Sequence, residues 1–338
     1  MKISRMIAAI DTHTSGEAAR LIIGGITKFP GKTMAEKKAY LEKKSDHLRK
    51  ILMYEPRGHK DMFGAFITEP VNEEADYGII FMDAGGYLNM CGHNTIAAMT
   101  TAVEQGWVKV AKDDREVTVV QDTPAGVVHG KVQLDGEQSV ISVSFENVPA
   151  FLYKKDIEVN VPGIGKLIVD ISFGGSFFVL LPAKSVDLNI EPKNSEKFSK
   201  IGLKIRNAVN EQIEIQHPTL KHINQVDLVE FYGSAVSSDA NYQNVVVFGD
   251  GQVDRSPCGT GTCAKLATLY GKGQMNIGES FIYESILQTK FKGQIIKETM
   301  VDNYKAIIPC ITGSAYITGF NTFLVNPKDP LKDGFILG

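Results

Sequence analysis

The stretch Ile79–Gly106, IIFMDAGGYLNMCGHNTIAAMTTAVEQG, has a second copy 167 residues downstream at Val246–Gly273, VVFGDGQVDRSPCGTGTCAKLATLYGKG. In that register Phe81 falls on Phe248, Asp83 on Asp250, Cys91-Gly92 on Cys258-Gly259, Thr95 on Thr262, Ala97 on Ala264, Thr101 on Thr268 and Gly106 on Gly273. The offset is close to half of the 338-residue chain. A looser echo, shifted by 159, pairs Asp11 and Gly16 with Asp170 and Gly175 just ahead of the apolar runs Leu21–Ile23 and Val179–Leu181. Unlike residue types matching in one fixed register argue against chance. A repeat of this length is a duplicated domain, with halves related by a pseudo-two-fold, and not a solenoid.

Local patterning agrees. Gly78–Met82 and Asn244–Phe248 are apolar, β-branched runs bounded by turn residues and read as buried strands. A glycine-containing loop follows each, then a cysteine, then a helical stretch: Asn94–Gln105 in the first copy and Thr260–Tyr270 in the second. Both stretches end near glycine, at Gly106 and Gly271. Met34–Leu52 is a further helix with Thr33 and Glu36 at capping-box spacing, its Lys/Glu run from Glu36 to Lys50 forming an exposed face. Pro149–Gly165, rich in Pro, Gly and charge, is the expected interdomain linker. The halves are then 1–155, carrying Cys91, and 160–315, carrying Cys258. The tail from 316 to 338 is a candidate to pack back on the first half; Ile311–Val325 reads as strands.

Bulk composition narrows the function. Apolar residues make up 43% and charged residues 22%, with a net charge of −3. A nucleic-acid partner calls for a basic excess that is not there. No apolar run approaches the ~18 residues of a membrane span, and Met1–Ile10 offers no signal-peptide core before Asp11. The expectation is a cytoplasmic protein with neither a nucleic-acid nor a membrane partner. Its cysteines are Cys91, Cys258, Cys263 and Cys310. Disulfide frameworks do not suit the cytosol, and with no C-x-x-C pair no metal site is expected.

A cysteine opening a helix sits where unpaired backbone N–H groups and the positive end of the dipole favour the thiolate, lowering its pKa below ~8.5. Glycine follows each cysteine, Gly92 and Gly259, leaving amides open to an anion such as a carboxylate. Two such units brought face to face suit one chemistry. A thiolate takes the α-proton of an amino acid from one side, a thiol returns a proton on the other, and amides hold the carboxylate onto which the carbanion charge spreads. The pair shares one proton, and near-symmetry makes the reaction a racemisation.

The motifs that carry this reading resemble the proline racemase family nearly end to end. Met90-Cys91-Gly92-His93-Asn94 and Asp254-Arg255-Ser256-Pro257-Cys258-Gly259-Thr260-Gly261-Thr262 look like its two signatures. Glu55–His59 (EPRGH) and Asp170–Phe178 (DISFGGSFF) are similar to further family segments. The resemblance implies the diaminopimelate epimerase-like α/β (α+β) fold: two pseudo-symmetric domains, each a sheet wrapped around a central helix, with the site in the cleft between them. It implies no cofactor and a homodimer. Cys91 and Cys258 become the two bases. Gly92, His93, Gly259 and Thr260 supply carboxylate donors, and Asp254 with His93 holds the substrate nitrogen.

Members that dehydrate 3-hydroxyproline typically carry threonine at one of these cysteines, and both are cysteine here. Hydroxyproline epimerases keep both. Phe63 and Phe248 stand at positions that are aromatic in proline-specific members, and a 4-hydroxyl buried between them without a partner costs about 1–3 kcal/mol. That points to proline, with 4-hydroxyproline 2-epimerase as the alternative. A non-catalytic imino-acid-binding protein and a thiol redox protein are the readings outside racemisation. Asn94, where many members have glycine, and Cys263, where serine is common, are departures expected to lie outside the proton transfer.

Other residues have plainer readings. Cys263 and Cys310 are expected to be packed core residues, and His217 and His222 to lie in a solvated loop. His59 is expected to be structural, while His13, His47 and His129 have no partner legible in the sequence. Gly259-x-Gly261-x-x-Ala264 formally satisfies a dinucleotide fingerprint, but Pro257-Cys258 breaks the strand-to-turn approach and the first copy lacks the second glycine.

Overall fold

The computed structural model describes residues 3–26 and 28–337. The chain divides into two compact units, Met1–Phe145 with Gly313–Gly338, and Glu146–Thr312.

In the first unit the strands are β1 (Arg5–Thr14), β2 (Glu17–Gly24), β3 (Phe63–Thr68), β4 (Tyr77–Asp83), β5 (Tyr87–Leu88), β6 (Glu116–Thr123), β7 (Gly126–Leu134) and β8 (Val140–Glu146). Its helices are α1 (Met34–Lys44), α2 (Asp46–Met53) and α3 (Gly92–Glu104). The second unit holds β9 (Ala150–Val161), β10 (Gly165–Phe173), β11 (Phe177–Pro182), α4 (Ser195–Gln212), β12 (Leu228–Gly233), β13 (Tyr242–Phe248), β14 (Gln252–Val253), α5 (Gly259–Gly271), β15 (Ser280–Glu284), β16 (Lys290–Val301) and β17 (Tyr304–Gly313). The last strand, β18 (Ala315–Val325), pairs antiparallel with β1 from Arg5↔Val325 to Thr14↔Ala315.

The two units are built alike, strand for strand. The first runs β18-β1-β2-β3-β4-β6-β7-β8, with β2–β3 and β4–β6 parallel and the other neighbours antiparallel. The second runs β9-β10-β11-β12-β13-β15-β16-β17, with β11–β12 and β13–β15 the parallel pairs. There β17 also meets β9 at Ala306↔Phe151, which closes the sheet on itself. At the centre of each unit lies one helix buried on nearly every side: Gly92–Val103 of α3, and Gly259 with Gly261–Leu269 of α5. A helix with no polar stripe has to be enclosed, and each sheet curls around its own. The opposite sheet face packs on the amphipathic helices. Leu41, Leu48, Leu52 and Met53 meet Ile80 and Met82 in the first unit, and Phe198, Ile205 and Val209 meet Val245 and Val247 in the second.

Hydrogen bonds fix the register of the duplication. Asp122 Oδ2 accepts from the amides of Val71 and Asn72, as the Glu284 carboxylate accepts from those of Val236 and Ser237. Asp76 caps Val120 N as Asn241 caps Ile282 N. These anchors set β4 and β13 apart by 165 residues. The central helices are 167 apart, with Thr101 and Thr268 donating to the carbonyls of Ala97 and Ala264, each at 2.8 Å. The uniform register read from the sequence is therefore two residues out along the strand, because the extra length sits in the loop before the second helix. Phe248 stands at the ladder position of Asp83, and Val246 at that of Phe81.

Other expectations are corrected. Pro149–Gly165 is no linker: most of it forms β9, which pairs with β10 along one side. Met34–Leu52 is two helices broken at Ser45, whose amide bonds back to Leu41 O. Thr33 does cap α1, accepting from Glu36 N at 3.1 Å, but the Glu36 carboxylate takes Lys32 N instead of closing the box. The charged face is not wholly exposed either. Lys37 and Arg49 are buried, donating to Glu69 O and to Asp83 O and Ala84 O. His217 is buried against Phe151 and Phe173, and Cys310 is only half-buried. No helix among the described residues is long and apolar enough to cross a membrane.

Candidate active site

Cys91 is the N-cap of α3, in extended backbone, and is 6% exposed. Its Sγ lies 3.4 Å from His93 Nδ1 and accepts from Asn94 Nδ2 at 3.4 Å. Thr14 at the end of β1 donates to His93 O at 2.8 Å, tying that first turn to the sheet. Phe63, which opens β3, meets the His93 ring edge-on at 4.6 Å between centroids. In the first unit Phe63, Cys91, Gly92 and His93 are thus gathered in one place, and Asn94 joins them. Asn94, expected to lie outside the proton transfer, bonds the sulfur itself. Its position three residues past the N-cap aims the amide back at Sγ.

Burial pushes the His93 imidazole down to about 3, although a bond to the Ala18 carbonyl works the other way. The ring is neutral at physiological pH and can accept a hydrogen bond from an ammonium. A histidine depressed from 6.5 in the unfolded chain contributes stability that is present above pH 6.5 and is lost as pH falls towards 3, because the unfolded chain then binds the extra proton. Between pH 6.5 and 5 that loss amounts to about 1–2 kcal/mol. His93→Asn is expected to flatten the fall in urea midpoint across that interval, as measured by equilibrium unfolding.

Cys258 caps α5 and is 7% exposed, at φ 60° and ψ 112°. A left-handed φ on a non-glycine residue costs of order 1–3 kcal/mol and persists only where the surroundings enforce it. Here they do. Asp254 Oδ1 accepts Ser256 N at 2.8 Å, and Ser256 Oγ accepts Cys258 N at 3.1 Å. Asn244 Nδ2 donates to Pro257 O at 2.8 Å, and Thr262 Oγ1 to Cys258 O at 2.7 Å. The sulfur accepts from Gly261 N at 3.4 Å and lies 3.6 Å from Thr260 Oγ1. Asp254, Cys258, Gly259 and Thr260 therefore form one constellation. Phe248 is two residues beyond Val246, on the same face of β13, and Val246 packs with Cys258 and Ala264.

The helix start does not lower the Cys258 thiol. Burial, followed by the charge of Asp254, holds it well above its ordinary value, against the bonds from Thr260 and Gly261 N. Cys263 is fully buried and takes a bond from Asn147 Nδ2 at 3.2 Å, and burial pushes its thiol up to about 12, which fits a packed core residue. Sequence reasoning missed Glu230, which lies wholly buried on β12 with Tyr283 donating to Oε1 at 2.5 Å. An acid in an otherwise apolar strand, LVEFYG, is the only signal it left.

The family model described as proline racemase matches residues 9–336. The chain belongs to the proline racemase family. It is 57% identical over 338 residues to the proline racemase of Clostridioides difficile, covering all of both chains. It is 42% identical over its full length, and that of the relative, to a trans-3-hydroxy-L-proline dehydratase of Bacillus thuringiensis subsp. konkukian. Among solved structures, the hydroxyproline epimerase of Agrobacterium vitis with bound trans-4-hydroxy-L-proline superposes at a TM-score of 0.90. That chain is 30% identical, and the match covers 100% of this chain and 97% of the other. The α/β fold expected of the family is the fold found.

Proposed function

We propose that this family member is a cofactor-independent proline racemase in which Cys91 and Cys258 are the two bases. The observation that carries the proposal is the repeated placement of a cysteine at the N-cap of a central buried helix, with donors on each sulfur: Asn94 Nδ2 on Cys91 and Gly261 N on Cys258. A sulfur so placed can trade a proton with Cα while neighbouring amides take up the charge that reaches the carboxylate. Gly92, His93, Gly259 and Thr260 bind that carboxylate. Neutral His93 and Asp254 receive the ring nitrogen, and Phe63 and Phe248 line the apolar ring. In the same reading the enzyme is a cytoplasmic homodimer.

Cys91 as thiolate removes the α-proton of one enantiomer, and the Cys258 thiol delivers a proton to the opposite face of the carbanion. Product leaves an enzyme with the two protonation states exchanged, ready for the other enantiomer. L-Proline in D2O with no added cofactor is expected to lose optical rotation as deuterium enters Cα. No exchange with any imino acid would sink the proposal. A second reading, 4-hydroxyproline 2-epimerase, is favoured by the ligand of the Agrobacterium vitis structure. Exchange of trans-4-hydroxy-L-proline but not of proline would select it. Phe248→Ser is expected to shift the ratio of kcat/KM values towards hydroxyproline by roughly tenfold, by giving the 4-hydroxyl a hydrogen-bond partner.

A further inference from the structure

The two cysteines occupy equivalent positions, but the groups behind them are exchanged between strand and helix. Asn94 and Gly261 are counterparts, each three residues past its cysteine. Asn94 brings its amide from the helix towards β3, donating to Gly64 O at 3.3 Å as well as to Cys91 Sγ. Gly261 brings no side chain. A Cβ there would lie 2.6 Å from Glu230 Oε2, because the polar group arrives from the strand instead. At the ladder position of Glu230 the first unit has Ala65. So an amide backs one sulfur, and a carboxyl stands behind the turn that holds the other.

Glu230 is wholly buried. Tyr283 of β15 donates to Oε1, and Oε2 has no hydrogen-bond partner among the described residues. The Lys265 ammonium of α5 acts on it while lying over the Tyr232 and Tyr242 rings, 3.1 and 4.7 Å from their centroids. Asp170 of β10 and Lys272, the C-cap of α5, act on Lys265 in turn. Asp254 and Glu230 are the acids acting on Cys258. His93 faces Cys91 as a neutral ring that donates to Sγ in one tautomer and accepts from it in the other.

We infer that Glu230 is a positioning residue that, once ionised, keeps the shared proton of the thiol pair on Cys258, leaving Cys91 as the thiolate. The inference rests on the two-thiol racemase reading and assigns the proton within it. A carboxylate near a sulfur opposes the thiolate, and a donor on a sulfur favours it. Burial raises Glu230 to about 8, so its charge develops as the medium turns alkaline and resists ionisation of Cys258 in that range. In that range the enantiomer whose α-proton faces Cys91 is the one the free enzyme is ready to turn over.

The test is iodoacetamide alkylation of each cysteine, followed by peptide mapping from neutral to alkaline pH. In the unaltered protein Cys91 is expected to react at lower pH than Cys258. In Glu230→Gln the Cys258 midpoint is expected to fall, with about tenfold more Cys258 alkylation at a fixed alkaline pH, and the Cys91 midpoint to stay. Tyr283→Phe removes the donor that favours the Glu230 carboxylate. It is expected to move the Cys258 midpoint the same way by less, and it carries the test if Glu230→Gln does not fold. A merely structural role would speed alkylation at both cysteines with midpoints unmoved, and that result overturns the inference. So do equal shifts at both cysteines, or Cys258 reacting first in the unaltered protein. The readout needs no turnover, so failure of the racemase reading shows separately, as no Cα exchange in D2O.

Discussion

Cys91→Ser and Cys258→Ser are each expected to lower kcat/KM for proline racemisation by roughly 10³-fold, the scale of a general acid–base contribution. Serine is close to cysteine in size, so the first turns of α3 and α5 keep their packing and thermal unfolding should barely change. What is lost is a group able to give up and regain a proton near neutral pH. A hydroxyl does so far less readily than a thiol, even a thiol held up by burial as Cys258 is. The two variants should also differ from each other. With one base gone, the surviving sulfur can take a proton from one face and return a deuteron to that face only. Residual deuterium exchange should therefore be confined to one enantiomer in Cys91→Ser and to the opposite one in Cys258→Ser, with neither inverting. Exchange of both enantiomers by a single variant would show that the second proton comes from elsewhere.

What the sequence made legible was the duplication and the cysteine at each helix start, because both are written in local pattern. The strands around Phe81 and Val246 and the helices after Cys91 and Cys258 are contiguous runs whose type follows from apolarity and turn residues. Less legible was whatever depends on a partner far along the chain. The strand register was two residues out because Phe81 and Asp83 match Phe248 and Asp250 by coincidence at the helix offset of 167, while the strands themselves are 165 apart. The anchors that set it, Asp122 and Glu284, accept from loops about fifty residues away. His217 does lie in a loop, but not in a solvated one, because Phe151 and Phe173 cover it. Residues 149–165 carried the composition of a linker, but β10 lies beside them to make them a strand. Glu230 was hidden for another reason. Comparing the halves reveals what they share, and Glu230 matters because its counterpart is Ala65.

Gly174→Ala is expected to lower kcat/KM about 100-fold and to cost about 1–3 kcal/mol of stability. Gly174 lies in the β10–β11 turn, in the stretch Asp170–Phe178. A Cβ there would sit 2.2 Å from Thr260 O and 2.6 Å from Ala264 N, both backbone atoms of the first turns of α5. No rotamer relieves a clash with backbone, so either the turn or the helix start has to move. The turn is not free to do so: Asn147 Nδ2 donates to Gly174 O at 2.9 Å while also bonding Cys263 Sγ on α5. Displacement therefore falls on the residues that place Cys258 and Thr260, where an error of ~1 Å in a reacting group costs on the order of 10² in rate. Gly136→Ala is the control, since its Cβ would meet nothing closer than Arg115 Nη1 at 4.0 Å, and neither activity nor melting temperature should change. If Gly174→Ala melts early but keeps its kcat/KM, the turn supports the fold without positioning the sulfur. The strained φ of Cys258 would then be held by its own loop, through Asp254 and Ser256.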